Sequence, residues 1–146
     1  MKRLHSAFFL PFILLGFSAV ADQTSIKPQT QGEVAFVSGG VGIDEQQAMK
    51  AMQSEYNLNL LFSERGTGEY ISDVKVRIKD ANGNVSLDTV SDGPMLFAKL
   101  KSGRYGVTVD REGYVIEKQI NLDGVKHTSL SLTWPQQKGG REIGQR

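Results

Sequence analysis

The sequence has no cysteine and only two histidines among its 146 residues. Without thiols the chain forms neither disulfide bonds nor thiolate metal sites, and it has no cysteine nucleophile. Basic and acidic residues are nearly balanced, at 17 and 16, and a nearly neutral chain gives no electrostatic case for binding nucleic acid. We therefore expect no cofactor, no metal ion and no nucleic-acid partner.

Long apolar runs are also scarce, and the clearest one lies at residues 7–17. It is too short to span a bilayer, which takes about 20 apolar residues. Lys2 and Arg3 precede it, and Ala19-Val20-Ala21 follows it. This order is typical of a secretory signal peptide. We expect residues 1–21 to be removed after Ala21, so that the protein is periplasmic, with secretion as the alternative, and meets the membrane only through its export signal.

Most of the remaining chain alternates between apolar and polar residues. The alternating segments lie at 58–62, 74–78, 105–109, 116–122 and 130–134. Turn dipeptides such as Asn82-Gly83, Glu112-Gly113 and Asp123-Gly124 separate most of them. A period of two broken by frequent turns is typical of half-buried antiparallel strands in a β-sandwich.

One segment has helical spacing instead. Asp44 has the chemistry of a helix N-cap, and Gln47 follows three residues later as in a capping box. Apolar side chains then recur at helical intervals, at Ala48, Met49, Met52 and Tyr56. We predict one substantial helix over residues 45–56.

These patterns divide the chain into three parts after the signal peptide. Residues 22–32 are polar and are predicted to be a flexible leader. Residues 33–134 are predicted to form one domain, beginning with a strand-helix-strand segment at 33–63. The polar residues 135–146 are predicted to be a disordered tail. We expect the protein to be a monomer.

The segment that begins at Asp92-Gly93 continues through Leu100, Gly103 and Tyr105 to Gly113-Tyr114. This run resembles the carboxypeptidase regulatory-like family, and the resemblance extends over residues 69–133. It implies a mainly β fold, an antiparallel prealbumin-like (transthyretin-like) β-sandwich, here with one N-terminal helix. It further implies a binding, spacer or interaction role without catalytic residues.

Two acidic residues and a glycine-rich turn make a first candidate site. The turn at 39–42 joins a strand to the helix, where a phosphate group can bind. Asp44 and Glu45 stand at the start of the same helix, where they complement its dipole and repel an anion. The sequence therefore favours a tight turn, and leaves both acidic residues as possible contacts for a ligand or partner.

Four basic residues make a second candidate site. Lys75, Arg77 and Lys79 alternate along one strand, and Arg65 precedes them in a loop. Such a stripe can meet an anionic glycan, a lipid headgroup or a protein. Lysines along an edge strand also guard against unwanted strand pairing, which is the alternative explanation.

Catalytic patterns are sparse. His127 is the only histidine after the signal peptide, and the carboxylates Asp44, Glu45, Glu64, Glu69 and Asp73 are scattered. The segment 80–84 fits an Asn-Gly hairpin better than a calcium loop.

We expect a non-enzymatic binding or interaction module of the cell envelope, whose partner is an envelope protein or glycan. Carbohydrate or small-ligand binding is the alternative, and a hydrolase using His127 or loop carboxylates is a third hypothesis.

Overall fold

The computed structural model describes residues 26–137, and the predicted signal peptide at 1–21 lies outside them. The described chain is mainly β-structure, as predicted. Its strands are β1 (Gln29–Gln31), β2 (Val34–Gly39), β3 (Leu58–Glu64), β4 (Val74–Asp80), β5 (Val85–Ser91), β6 (Met95–Lys99), β7 (Gly103–Arg111), β8 (Tyr114–Leu122) and β9 (Thr128–Trp134). The helix α1 (Gly42–Met52) continues into a 3₁₀ turn at Gln53–Glu55.

The strands form two sheets. The first has the order β1-β2-β6-β3-β9, and the second has the order β5-β4-β7-β8. All neighbours are antiparallel except β3 and β9, which run parallel. This pair differs from the antiparallel arrangement expected from the sequence. After β3 the chain builds β4 and β5 in the second sheet, returns to the first sheet at β6, and crosses again through β7 and β8 before it reaches β9. Turn signals alone do not reveal that β9 then runs in the same direction as β3.

The inner faces of the two sheets form the main core. Alternate residues of β4 and β7 are buried, including Val76, Ile78 and Val107. Phe62 and Trp134 pack edge to face with ring centroids 6.0 Å apart. Each buried side chain of this size contributes about 1.5–3 kcal/mol. The apolar side chains that the strands bury therefore supply the stability that no disulfide provides.

The helix covers part of the outer face of the first sheet. Met49 from α1 is fully buried there, and the ring of Tyr56 lies 6.3 Å from that of Phe97. The prediction of a helix at 45–56 was wrong at both ends, since α1 begins at Gly42 and ends at Met52. Tyr56 lies after the 3₁₀ turn, but its ring still packs into this cluster. Its apolar spacing from Met52 therefore resembled that of a helix in the sequence.

The predicted flexible leader, residues 22–32, includes strand β1. Thr30 of β1 lies opposite Ala35 of β2. The side-chain amide of Gln31 donates to the carbonyl oxygen of Asp88 at 3.0 Å and accepts from its backbone N–H at 2.6 Å. Because Asp88 lies on the edge strand β5, this short segment connects the two sheets.

Candidate functional site

The structure distributes the six predicted contact residues over three places. Two lie in the first turns of α1, one lies in the loop after β3, and three lie on the outer face of β4: Asp44 and Glu45; Arg65; and Lys75, Arg77 and Lys79. The largest cavity is lined by other residues. Sequence reasoning therefore identified exposed charged groups, but did not identify the main concave surface.

Glu45 has a structural role at the start of α1. Its Oε2 accepts hydrogen bonds from the backbone N–H groups of Gly40, at 3.0 Å, and Val41, at 2.9 Å. The prediction that Asp44 is the N-cap was wrong, since the N-cap is Val41 and makes no side-chain capping bond. The longer Glu45 side chain reaches back to these amides, which are the donors that a phosphate would need.

The basic stripe lies on an internal strand, so its interpretation as an edge guard was wrong. Strand β4 has β5 on one side and β7 on the other. Arg77 forms an ion pair of 3.0 Å with Asp88, and both side chains are about half exposed. Lys75 lies opposite Asp110 of β7. The surface is thus one of mixed charge, where such exposed pairs contribute little stability.

The largest cavity is an open groove of about 1190 Å³ at one end of the sandwich. Four segments line it: the chain around Glu33 before β2, the stretch of residues 54–57, the stretch of residues 99–102, and the loop before β9. Exposed residues in it include Lys99, Val125 and His127. We call this surface the groove.

Hydrogen bonds to the backbone fix the floor of the groove. The side-chain amide of Asn57 donates to the carbonyl oxygen of Leu100 at 2.7 Å and accepts from its N–H at 2.9 Å. The Nδ1 atom of His127 lies 2.7 Å from the carbonyl oxygen of Tyr56. Because that oxygen only accepts, Nδ1 carries the proton and Nε2 is the acceptor of the neutral ring. These bonds link the stretch of residues 54–57 to Leu100 and to the loop before β9.

Charged groups of both signs surround the groove. Lys101 and Glu33 form an exposed ion pair of 2.7 Å. This contact lowers the pKa of the Glu33 carboxyl group and raises the pKa of the Lys101 ammonium group. Burial, and then the neighbouring charge of Glu55, raises the pKa of the Tyr56 hydroxyl group. At neutral pH the groove thus presents the ionised Glu33 carboxylate beside the ionised Lys101 ammonium group and the neutral phenol of Tyr56.

The loop between β8 and β9 is organised by one carboxylate. Asp123 Oδ1 accepts hydrogen bonds from the N–H of Val125 at 3.0 Å and of Lys126 at 2.8 Å. These hydrogen bonds lower the pKa of the Asp123 carboxyl group, and the bond from the Lys126 N–H has the largest effect. They also hold Val125, whose side chain is 85% exposed, beside the groove.

A smaller cavity of about 280 Å³ lies near the hairpin that joins β7 and β8. Tyr70 lines it with a ring that is about half exposed, and Glu69 and Asp73 line it with carboxylates. The Nη1 atom of Arg111, another lining residue, is buried without a hydrogen-bond partner among the described residues. This cavity therefore combines an aromatic ring with carboxylates and a spare donor.

The aromatic residues divide between the core and the surface. Tyr105 and Trp134 are buried. Tyr70 and Tyr114 are about half exposed. Tyr70 and Tyr114 are therefore the tyrosines whose rings a ligand could reach.

His127 lacks the partners of a catalytic base in the described structure. Its hydrogen-bond partner is the Tyr56 carbonyl oxygen, and no serine hydroxyl or carboxylate bonds to it in the part of the chain that is described. Across residues 26–137 no three histidine or acidic side chains are grouped as metal ligands.

The segment 80–84 forms the predicted hairpin turn, where Asp80 Oδ1 accepts from the N–H groups of Asn82 and Asn84, each at 2.9 Å.

The groove was not predictable from the sequence because its parts are far apart in the chain. Glu33, Tyr56, Lys99 and His127 come from four separate segments. The only local signal was Asn57, an amide immediately before an apolar strand. An amide in that position often bonds to backbone groups, but the sequence does not identify Leu100 as its partner.

Comparison with known families finds one match, in the second half of the chain. Residues 71–138 match the PEGA domain, a β-rich domain found in exported proteins. The resemblance to carboxypeptidase regulatory-like domains stays a prediction of the sequence. No curated protein matches the chain. Between residues 26 and 137 no helix is long and apolar enough to cross a membrane.

Proposed function

We propose that the protein is a non-enzymatic interaction module of the cell envelope, which acts in the periplasm and binds a segment of another envelope protein in the groove. The groove itself is the observation that carries this proposal. It is a concave surface of about 1190 Å³, and the side chains of Asn57 and His127 in it bond to backbone groups of two other lining segments. The match to a domain typical of exported proteins supports the location.

The chemistry of the groove favours a protein segment over a sugar. Its volume of about 1190 Å³ is above the range of about 300–1,000 Å³ that is usual for small-molecule pockets. Its aromatic residue, Tyr56, is only 5% exposed and offers no ring face for stacking. The exposed apolar side chain of Val125 and the charges of Lys99 and Glu33 instead suit an extended peptide of mixed polarity.

Crosslinking in living cells tests this proposal. Cells would produce the full chain, and envelope crosslinks would be identified by mass spectrometry. Lys99→Glu and Val125→Glu each place a carboxylate in the groove and should reduce the captured partner at least about fivefold. Lys75→Glu and Val90→Glu are matched controls on the second sheet, where both residues are exposed, and should leave capture unchanged. Equal capture by all four variants would refute the groove as the binding surface.

The smaller cavity supports carbohydrate binding as a second candidate function. A half-exposed Tyr70 ring beside Glu69, Asp73 and an unpartnered Arg111 donor has the groups that hold a neutral sugar ring. Calorimetry with soluble envelope glycan fragments would test it. We expect Tyr70→Ala to abolish the heat of binding and Val90→Ala, a control outside the cavity, to preserve it. No heat with the unaltered protein would exclude this function.

A further inference from the structure

Among the described residues, strand β9 forms one edge of the first sheet. It pairs with β3 on one side, and no described strand pairs with its other side. The N–H of Thr128 donates to Asn57 at 2.8 Å, and the carbonyl oxygen of Trp134 accepts from Arg65 at 2.7 Å. These bonds fix which way the backbone faces. The N–H and C=O groups of the residues between, Ser129, Ser131 and Thr133, therefore point away from β3.

The edges of the second sheet carry features that prevent strand pairing, whereas β9 carries none. Asp88 lies on edge strand β5, and its backbone groups are occupied by Gln31. Edge strand β8 carries Glu117 and Lys118, and Lys118 lies opposite the buried Val107, on the core-facing side. Inward-pointing charges of this kind oppose edge pairing. The sequence of β9 contains no charged residue, proline or glycine.

The residues of β9 are nearly symmetric about Ser131. Leu130 and Leu132 flank it, followed by Ser129 and Thr133. An antiparallel copy of the same strand, centred on Ser131, would therefore set leucine against leucine on the core side and hydroxyl against hydroxyl on the outer side. Pairs of this kind stabilise sheets. A strand without charge also has no feature that would select a charged partner.

We propose that β9 pairs antiparallel with β9 of a second copy of this chain, with the two-fold axis at Ser131. Ser131 then faces the partner's Ser131, and Ser129 faces the partner's Thr133. Each of these pairs exchanges two backbone hydrogen bonds through the groups that point away from β3. The contact is the same on both chains, as two-fold symmetry requires. This dimer would replace the monomer that we expected from the sequence, and it uses a surface independent of the groove.

Single cysteines test the register directly, because the chain has none of its own. Ser131→Cys places two thiols across the axis, with Cα atoms about 5.5 Å apart, within disulfide reach of about 4.4–6.8 Å. Ser129→Cys is the matched control. In the proposed dimer, position 129 of one chain faces position 133 of the other. The two cysteines at position 129 are therefore separated by four residues along the strand, or about 14 Å. Under mild oxidation we expect Ser131→Cys to form a covalent dimer at least about tenfold faster than Ser129→Cys.

Mixing variants checks the antiparallel arrangement. Ser129→Cys and Thr133→Cys chains should crosslink to each other when mixed, but not when alone. Equal crosslinking of Ser131→Cys and Ser129→Cys would overturn the proposal, because random collision or parallel pairing gives that result. No crosslinking of any variant would overturn it too.

A charge swap provides a readout that does not depend on oxidation. Ser131 is exposed in the single chain, so Ser131→Lys and Ser131→Glu should each fold. Like charges that meet on the axis should weaken the dimer at least about tenfold in sedimentation velocity, and an equal mixture of the two variants should restore it. Gln119→Lys on β8 is the control and should dimerise normally. A monomeric unaltered protein, or a dimer insensitive to both changes, refutes self-pairing while leaving the groove proposal to its own test.

Discussion

At the scale of single residues, side chains that bond to backbone amides and carbonyls shape the regions where function is proposed. Asn57 fixes the floor of the groove, Asp123 fixes one of its loops, and Glu45 fixes the start of α1. The sequence predicted acidic residues at the start of the helix and indicated Asp44 as the N-cap, because N-caps usually bond within their own turn. In the structure Glu45 instead bonds to amides up to five residues before it.

The capping role of Glu45 is testable by truncation. Glu45→Ala removes an acceptor shared by the amides of Gly40 and Val41. We expect the free energy of unfolding to fall by about 0.5–2 kcal/mol, the range for lost caps. Asp44→Ala is the control and should change it by less than about 0.5 kcal/mol. Urea denaturation measures both, and equal effects of the two substitutions would contradict the assignment.

The loop carboxylate Asp123 predicts a pH dependence. Bonds from the N–H groups of Lys126 and Val125 lower its pKa in the folded state. A lowered folded pKa means that the ionised form stabilises the loop above the unfolded pKa, and that this contribution is lost as pH falls through the folded pKa. The amide shifts of Val125 and Lys126 should therefore titrate below the pH of an ordinary aspartate. NMR titration measures this.

The control for the Asp123 titration is Asp123→Asn. Its side-chain oxygen still accepts the two hydrogen bonds but carries no charge, so the amide shifts of Val125 and Lys126 should stay flat across the same pH range. A midpoint at or above the ordinary aspartate value in the unaltered protein would contradict the proposed role of these bonds.

At the scale of elements, the sequence predicted strands well and their partners poorly. The period of two located β4, β7 and β9, because each strand has one buried face. It did not reveal β1, whose three residues are all exposed. Nor did it predict that β9 runs parallel to β3, because that pairing depends on where the chain returns after building the other sheet.

Gly93 shows how one element restricts another. Its φ angle is not in the left-handed region, so the need for glycine here comes from space and not from backbone conformation. A Cβ atom here would overlap the backbone carbonyl of Gly39 at the end of β2. We expect Gly93→Ala to cost about 1–3 kcal/mol of unfolding free energy, as overpacking does.

Gly106→Ala is the control for the Gly93 experiment. A Cβ atom there meets only the movable end of the Gln119 side chain, at 3.2 Å, so we expect a change below about 0.5 kcal/mol. Thermal unfolding measures both variants. A tolerated alanine at position 93 would show that β2 and the turn before β6 can separate at little cost.

At the scale of the whole molecule, the first sheet depends on strands from both halves of the chain. Strand β3 lies between β6 and β9, and it precedes the region 71–138 that matches the PEGA domain. The sequence predicted a module at 69–133 within a larger domain. It did not predict that the segment at 33–63 supplies the central partner of both β6 and β9, because strand order is a property of the folded chain.

This arrangement predicts that residues 69–137 do not fold alone. Such a fragment lacks β3, and with it the buried side chains of Leu58, Leu60 and Phe62. At about 1.5–3 kcal/mol each, these three residues together contribute about 5–9 kcal/mol, comparable with the total stability of about 5–15 kcal/mol of a typical domain. Strand β6 also loses both of its neighbours, β2 and β3.

Circular dichroism and thermal unfolding test this prediction. The fragment 26–137 is the control and should unfold cooperatively, whereas 69–137 should show no cooperative transition. Adding a peptide of residues 26–64, which carries β1, β2, α1 and β3, should restore the transition, because it returns the strand between β6 and β9. If 69–137 alone unfolds cooperatively near the transition of 26–137, strand β3 is dispensable and the sandwich is held together by the second sheet.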